Sequence, residues 1–417
     1  MVASLLLVVG LAAACTESEG PDSGGDSGPH SAVSAPQVRA ETLRMRRRIE
    51  DRIARSDPEE NPFLNASRAG MYETMLKRPL SRRDQLEIRM RYGLELVRAG
   101  KSEEAATVFA DTRRLCGELS GQERDVQEWL LEQFEGLAWL RLGEQENCIA
   151  LRGCDSCIFP LRGDGVHRKR RGSERAAVSF RAALQRRPDD LATLWLLNVA
   201  YMTLGEHPDG VPAKFRIPAA TFRSEGSSPR FVDVAQKAGA AVSGLSGGVV
   251  LEDFDGDLDF DILCSSWGPS DPLRYLRNRG DGTFDDQSVA AGLDGFPGGL
   301  NLVSADYDGD GDVDVFVLRG AWLGDKGDYP NSLLRNDGKG RFDDVTESAG
   351  LLELAPTQTA AFADYDGDGR LDLFVAGESD GRTKSPGHLF RNEGARFRDV
   401  SALVRLRVGG FVKGVVW

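Results

Sequence analysis

The chain is poor in the residues that carry most acid–base and covalent chemistry. Its 417 residues include four histidines, His30, His167, His207 and His388. Gly-x-Ser-x-Gly occurs at 244–248 and 377–381, but neither match leads into a helical pattern as a nucleophile turn does, and no Gly-rich phosphate loop opens a helix. These absences weigh against a hydrolase or a nucleotide-dependent enzyme. Cysteine is scarce as well. Beyond Cys15 there are Cys116, Cys148, Cys154, Cys157 and Cys264, an odd number, so at least one thiol has no partner within the chain. Basic residues are lacking where a nucleic-acid binder would need them. Residues 228–417 carry 19 Lys/Arg against 32 Asp/Glu, a balance of 19 − 32 = −13, which equals the net charge of the whole chain. Such a surface repels phosphates and attracts cations, so nucleic acid is not an expected partner.

Apolar runs long enough to span a bilayer are missing too. The first fourteen residues, Met1 to Ala14, are apolar or small and run into Cys15. That length suits the apolar region of an export signal. Leu11-Ala-Ala-Ala-Cys15 resembles a bacterial lipoprotein cleavage box, in which Cys15 is lipidated and anchors the protein to a membrane. The leucine stands one position too far from the cysteine, and no Lys or Arg precedes the run. A simple signal peptide or an uncleaved anchor is the alternative. Residues 16–37, rich in Ser, Gly, Pro, Asp and Glu, then read as a flexible tether.

Residues 38–207 show helical periodicity. Leu86, Met90, Leu94 and Val97 recur at spacings of three and four, and Ala105, Ala106, Phe109 and Leu115 follow after a Gly100-Lys101-Ser102 turn. Gly143 reads as the stop of a further helix. Paired helices with small residues at the crossings resemble tetratricopeptide repeats, so an all-α solenoid of about three helical pairs is expected here. An insertion over 146–171 interrupts it and holds Cys148, Cys154, Cys157 and His167. One disulfide stapling that loop is the plain expectation; a zinc or thiol redox site is the alternative. Residues 208–229 contain four prolines and read as an extended linker laid along a surface.

From residue 230 the period changes to two, and the chain carries its most informative stretch. Asp306, Asp308, Asp310, Asp312 and Asp314 alternate with small or apolar residues over nine positions. The pattern recurs at Asp253, Asp255, Asp257, Asp259 and Asp261, and again at Asp364, Asp366, Asp368 and Asp372, with Arg370 at the seventh place. Burying one uncompensated carboxylate costs several kcal/mol, so this crowding calls for a hard cation, and oxygen ligands at alternate positions of a tight loop suit Ca²⁺. An EF-hand is excluded: its twelfth position needs a bidentate Glu, and here stand Cys264, Val317 and Val375. The loops start 306 − 253 = 53 and 364 − 306 = 58 residues apart, with about four short strands per repeat. That is the signature of a propeller blade.

Each unit continues through Leu-x-Arg-Asn (Tyr275 standing for Leu in the first), a Gly-rich turn and Phe-x-Asp, as at 333–344. Together these motifs resemble the FG-GAP/VCBS repeats of integrin-α-like β-propellers, and more closely the cartilage acidic protein (ASPIC/UnbV) family and its exported bacterial relatives. The resemblance covers about residues 229–417. It implies three structural Ca²⁺ sites, with side chains at positions one, three, five and nine and the carbonyl of position seven as ligands. Those carbonyls belong to Asp259, Asp312 and Arg370. Leu258 replaces glycine at the sixth position of loop one, so weaker binding is expected there.

The expected fold is therefore multidomain: an N-terminal all-α TPR-like solenoid, then an all-β partial β-propeller of three blades plus the first strand of a fourth, near 410–417. The expected function is that of an exported, calcium-stabilised, non-catalytic protein that binds a protein or glycan. A propeller enzyme whose catalytic part lies elsewhere is the alternative.

Overall fold

The computed structural model describes residues 40–148, 157–223, 226, 231–378, 387–394, 396–406, 408, 410 and 412–417. Helices precede strands along the chain. The described residues divide into two compact units, 64–234 and a second one combining 40–63 with 235–417.

The first unit contains α2 (Asn65–Leu76), α3 (Arg82–Arg98), α4 (Ser102–Leu115), α5 (Gly121–Asn147), α6 (Arg171–Arg186) and α7 (Leu191–Thr203). Each helix packs on the next in sequence. Short polar residues set the starts: Ser81 Oγ accepts the Asp84 N–H at 3.2 Å ahead of α3, and Asp190 accepts the Ala192 N–H at 3.2 Å ahead of α7. Phe109 lies over Gly93 and Phe180 over Gly136, so closely that a Cβ on either glycine would stand about 2.5 Å from the ring. The expectation that Gly143 stops a helix is corrected, because α5 runs on to Asn147. Gly143 instead forms a crossing: a Cβ on Gly172 of α6 would lie 2.5 Å from the Gly143 nitrogen. Periodicity cannot separate a helix stop from a helix notch, since both require glycine. The proline-rich stretch is packed rather than free, with Val211 and Phe215 inside the helical core.

Charge inside this unit is matched locally. Glu95 is 3 % exposed and lies 3.2 Å from Arg68 and 2.8 Å from Arg98. Arg186 holds both Glu128, at 2.5 Å, and Glu132, at 3.0 Å.

The second unit contains α1 (Ala40–Ala54) and twelve strands. They are β1 (Ser246–Glu252), β2 (Asp261–Ser266), β3 (Arg274–Asn278), β4 (Phe284–Asp286), β5 (Asn301–Ala305), β6 (Asp314–Leu318), β7 (Ser332–Asn336), β8 (Phe342–Asp344), β9 (Thr357–Ala363), β10 (Asp372–Gly377), β11 (Gly387–Asn392) and β12 (Phe397–Asp399). They form three four-stranded antiparallel sheets in sequential order. The register repeats: Glu252 pairs Asp261, Ala305 pairs Asp314 and Ala363 pairs Asp372. Every acidic loop thus joins the first two strands of its sheet, and its ninth residue faces the residue just before its first. First strands neighbour one another, β1 against β5 and β5 against β9. Aromatic side chains fill the seams, Phe254 on Phe342 at 5.3 Å and Tyr307 on Phe397 at 5.8 Å between ring centres.

Helix α1 lies with these sheets, although helical periodicity groups it with the residues that follow. Met45 and Ile49 are fully buried, and Thr42 Oγ1 accepts the Asp344 N–H at 3.0 Å. Arg44 and Arg48 both reach Glu347, and Arg46 donates to the Asp294 carbonyl at 2.6 Å. The helix covers β8, a strand with partners on one side only, and so blunts an exposed edge. The strand expected near 410–417 is not formed in the described residues. Val412 donates to the Gly377 carbonyl at 3.1 Å, but no ladder continues from that bond. None of the described helices is long and apolar enough to cross a membrane.

Candidate metal loops

The three acidic loops share one hydrogen-bonding scheme. The first aspartate of each gathers three backbone N–H groups. Asp306 Oδ1 accepts from Gly309 at 2.8 Å and Asp310 at 3.1 Å, while Oδ2 accepts from Gly311 at 3.0 Å. Asp253 does the same with Gly256, Asp257 and Leu258, and Asp364 with Gly367, Asp368 and Gly369. The fifth-position carboxylates of Asp257, Asp310 and Asp368 each accept the N–H two residues on, at 3.0–3.1 Å. This wrapping forces the sixth residue into the left-handed region, with φ of 94° at Gly311, 86° at Gly369 and 72° at Leu258. Leucine there is strained, and its side chain is 90 % exposed, so no packing offsets the cost.

The ninth-position carboxylates are buried. Asp261, Asp314 and Asp372 are at most 1 % exposed. Asp314 Oδ1 accepts the Asn336 N–H at 2.9 Å and Oδ2 the Tyr307 N–H at 3.3 Å. Asp372 is held alike by Asn392 and Tyr365; Asp261 is held by Asn278 and Phe254 and also by the Tyr275 hydroxyl at 2.7 Å. No Lys or Arg pairs with these three carboxylates among the described residues. Burial raises all three pKa values, and pushes that of Asp314 up to about 8.

Carboxylate oxygens of Asp253, Asp255 and Asp257, of Asp306, Asp308 and Asp314, and of Asp364, Asp366 and Asp372 each converge within 4.8 Å of one another. Asp255 Oδ1 and Asp308 Oδ1 are buried without a hydrogen-bond partner. Converging carboxylates with unsatisfied inner oxygens are what a hard divalent cation satisfies, so the donor set fits Ca²⁺. The side chains of Asp259 and Asp312 turn away towards Gly280 and Gly338, which leaves only their carbonyls for a ligand role. Arg370 donates to the Asn392 carbonyl at 2.9 Å and also pairs with Asp368 of its own loop.

Arginines that ligand spacing does not reveal flank two of the loops. Arg277 pairs with Asp255 and, at 3.0 Å, with Asp257. Arg391 lies 3.1 Å from Asp366. The signal for them was the repeated Leu-x-Arg-Asn, whose arginine is one strand away from the loop it serves.

With this geometry in hand, the comparisons are specific. Residues 253–317 and 321–375 match the FG-GAP-like repeat. Over these residues the β-rich segment is similar to FG-GAP-like repeats. Cartilage acidic protein 1 of Homo sapiens is 30 % identical over 214 residues, covering 50 % of this chain and 30 % of the relative. The Mus musculus protein of that name is 31 % identical over 163 residues, covering 38 % and 24 %, and the Xenopus tropicalis one 32 % identical over 118 residues, covering 27 % and 17 %. The chain therefore spans less than a third of the length of these curated relatives. The first FG-GAP-like match holds two Asp loops, 253–261 and 306–314, and the second holds one, 364–372.

In the cysteine loop, Cys157 is exposed and is a free thiol. Cys154 and Cys15 lie outside the described residues. Cys148 Sγ stands 3.8 Å from His167 Nε2, and His167 Nδ1 lies 2.8 Å from Ser173 Oγ. Burial lowers the His167 pKa to about 4, so the ring is neutral near pH 7. One ring nitrogen is thereby committed to Ser173 inside the helical core.

Proposed function

We propose that the chain is an exported binding protein whose β unit is held by Ca²⁺ at three structural sites, each four-stranded sheet acting as one blade of a β-propeller. The helical unit is read as tetratricopeptide-like and offers a second surface. The partner is a protein or a glycan, and acid excess argues against nucleic acid. Lipidation at Cys15 would anchor the protein to the bacterial cell envelope, with residues 16–37 as the tether. Catalysis has no place in this reading, because loops that enclose an ion with oxygen ligands leave no open coordination position.

The observation that carries the proposal is the threefold loop: three nine-residue segments with one N–H pattern, converging carboxylates and buried ninth aspartates without basic partners. In these sites Asp253, Asp255, Asp257 and Asp261, Asp306, Asp308, Asp310 and Asp314, and Asp364, Asp366, Asp368 and Asp372 would hold the ions. A bound cation would supply the positive charge that the ninth aspartates lack. Calorimetric titration of chelator-treated protein with Ca²⁺ tests it. About three ions per chain are expected, and a titration without heat or saturation overturns the reading.

A further inference from the structure

The acidic loops are not separate devices. A continuous series of hydrogen bonds joins them through two asparagines of the Leu-x-Arg-Asn strands. The series starts at Asp261, whose Oδ2 accepts the Phe254 N–H at 3.3 Å. The Phe254 carbonyl belongs to the peptide that carries Asp255, and it accepts from Asn336 Nδ2 at 2.9 Å and from Gly340 N at 2.9 Å. Asn336 lies in the next sheet, and its own N–H donates to Asp314 Oδ1 at 2.9 Å. One residue thereby fixes the backbone at the third position of loop one and the ninth carboxylate of loop two.

The same connection recurs one repeat later. Asp314 Oδ2 accepts the Tyr307 N–H at 3.3 Å, and the Tyr307 carbonyl, on the peptide carrying Asp308, accepts from Asn392 Nδ2 at 2.8 Å. The Asn392 N–H donates to Asp372 Oδ1 at 2.7 Å. Every member is buried: Phe254 and Asp372 are 0 % exposed, Asn392 and Asp314 1 %, Asn336 3 % and Tyr307 4 %. Buried hydrogen bonds are strong and geometrically exacting, and no water competes for them.

We infer that Asn336 and Asn392 are positioning residues that couple cation binding in neighbouring loops, so that filling one loop raises the affinity of the next. The inference rests on the Ca²⁺ reading above. An ion drawn in by Asp253, Asp255 and Asp257 fixes the peptide between Phe254 and Asp255. That peptide holds the Asn336 amide in place, and the Asn336 N–H in turn holds Asp314 in its ligating orientation. Part of the ordering needed by loop two is then already done when its ion arrives, which is how one binding event lowers the cost of another. Outer-shell partners of metal ligands commonly change metal affinity 10–100-fold, a range that makes such coupling measurable.

Terbium, which replaces Ca²⁺ and emits when a nearby tyrosine absorbs, reads the loops separately. Loops two and three contain Tyr307 and Tyr365, whereas loop one has Phe254 at that position and is sensitised through Tyr275, whose hydroxyl meets Asp261, so every arm including the parent carries Tyr275→Phe. Asp257 is exposed, so Asp257→Asn disables loop one without touching the core. In the full chain this variant should shift the half-saturation of tyrosine-sensitised emission upward about five-fold or more. In an Asn336→Ser background the same Asp257→Asn change should shift it less than about two-fold. If Asn336→Ser loses the parent circular dichroism, the Asp257→Asn arm decides alone. Unchanged half-saturation after Asp257→Asn overturns the coupling, as does an equal shift in a folded Asn336→Ser background. Absence of any emission in the parent protein overturns the Ca²⁺ reading itself, which keeps the two failures apart.

Discussion

The helical and β units both bury carboxylates, but they neutralise them differently. In the helical unit each buried acid meets arginine: Glu95 lies between Arg68 and Arg98, and Glu128 and Glu132 share Arg186. In the β unit Asp261, Asp314 and Asp372 are more deeply buried and are met only by N–H dipoles, with one hydroxyl for Asp261. Dipoles stabilise a carboxylate but bring no charge, so burial still raises the pKa of all three. A unit that carries its own countercharges is complete as a chain of amino acids. The ninth aspartates of the β unit lack that countercharge, which a cation from solution would supply.

The comparison breaks most visibly under chelation. At a thousand-fold excess over the dissociation constant, one bound ion adds about 4 kcal/mol to the folded state. Removing divalent cations should therefore lower the β transition in scanning calorimetry by on the order of 10 °C or more, and leave the helical transition in place. A common shift of both transitions would erase the distinction drawn between the units.

The reverse experiment targets the helical unit. Arg186→Ala leaves Glu128 with Arg124 alone and Glu132 with Arg113 at 3.9 Å, and with Arg186 about one-third exposed the expected loss is about 1–2 kcal/mol rather than the 3–5 of a fully buried pair. Urea unfolding followed by far-UV circular dichroism should show that loss with and without chelator alike.

Loop one sharpens the comparison inside the β unit. Leu258→Gly relieves a side chain held at φ 72°, which should stabilise the β unit by about 1 kcal/mol. The gain should appear as a small rise in its melting temperature and as tighter binding in loop one.

The smallest effect is a pH dependence. Without a cation, the Asp314 pKa is raised to about 8 in the fold, against about 3.9 in the unfolded chain. The folded state then holds a proton that the unfolded state releases, so stability contributed by that proton is lost as pH rises from about 4 to about 8. A bound ion keeps the carboxylate charged and removes the loss. The gap between melting temperatures with Ca²⁺ and with chelator should hence be wider at pH 8 than at pH 5, and an equal gap would place the titration elsewhere.

Much of the candidate site was legible because its ligands are contiguous. A nine-residue loop with aspartates at fixed places is specified by local hydrogen bonds from Asp306 to Gly309, Asp310 and Gly311, and these depend on no distant residue. The strands were readable for a related reason, since alternation and spacing repeat near every fifty-odd residues. Gly143 was misread because its role depends on Gly172 of another helix. Helix α1 shows the same limit: nothing within 40–54 says that Thr42 will meet the backbone of Asp344.

The sequence by itself determined the acidic loops, their register and the change from helical to strand periodicity, because each is written in neighbouring residues. Only the tertiary structure decided that α1 covers the edge of β8, that Arg277 and Arg391 brace their loops, and that Asn336 and Asn392 bind one loop to the next. Those links join residues 22 to 302 positions apart, and such contacts follow from how strands stack once their apolar faces are buried.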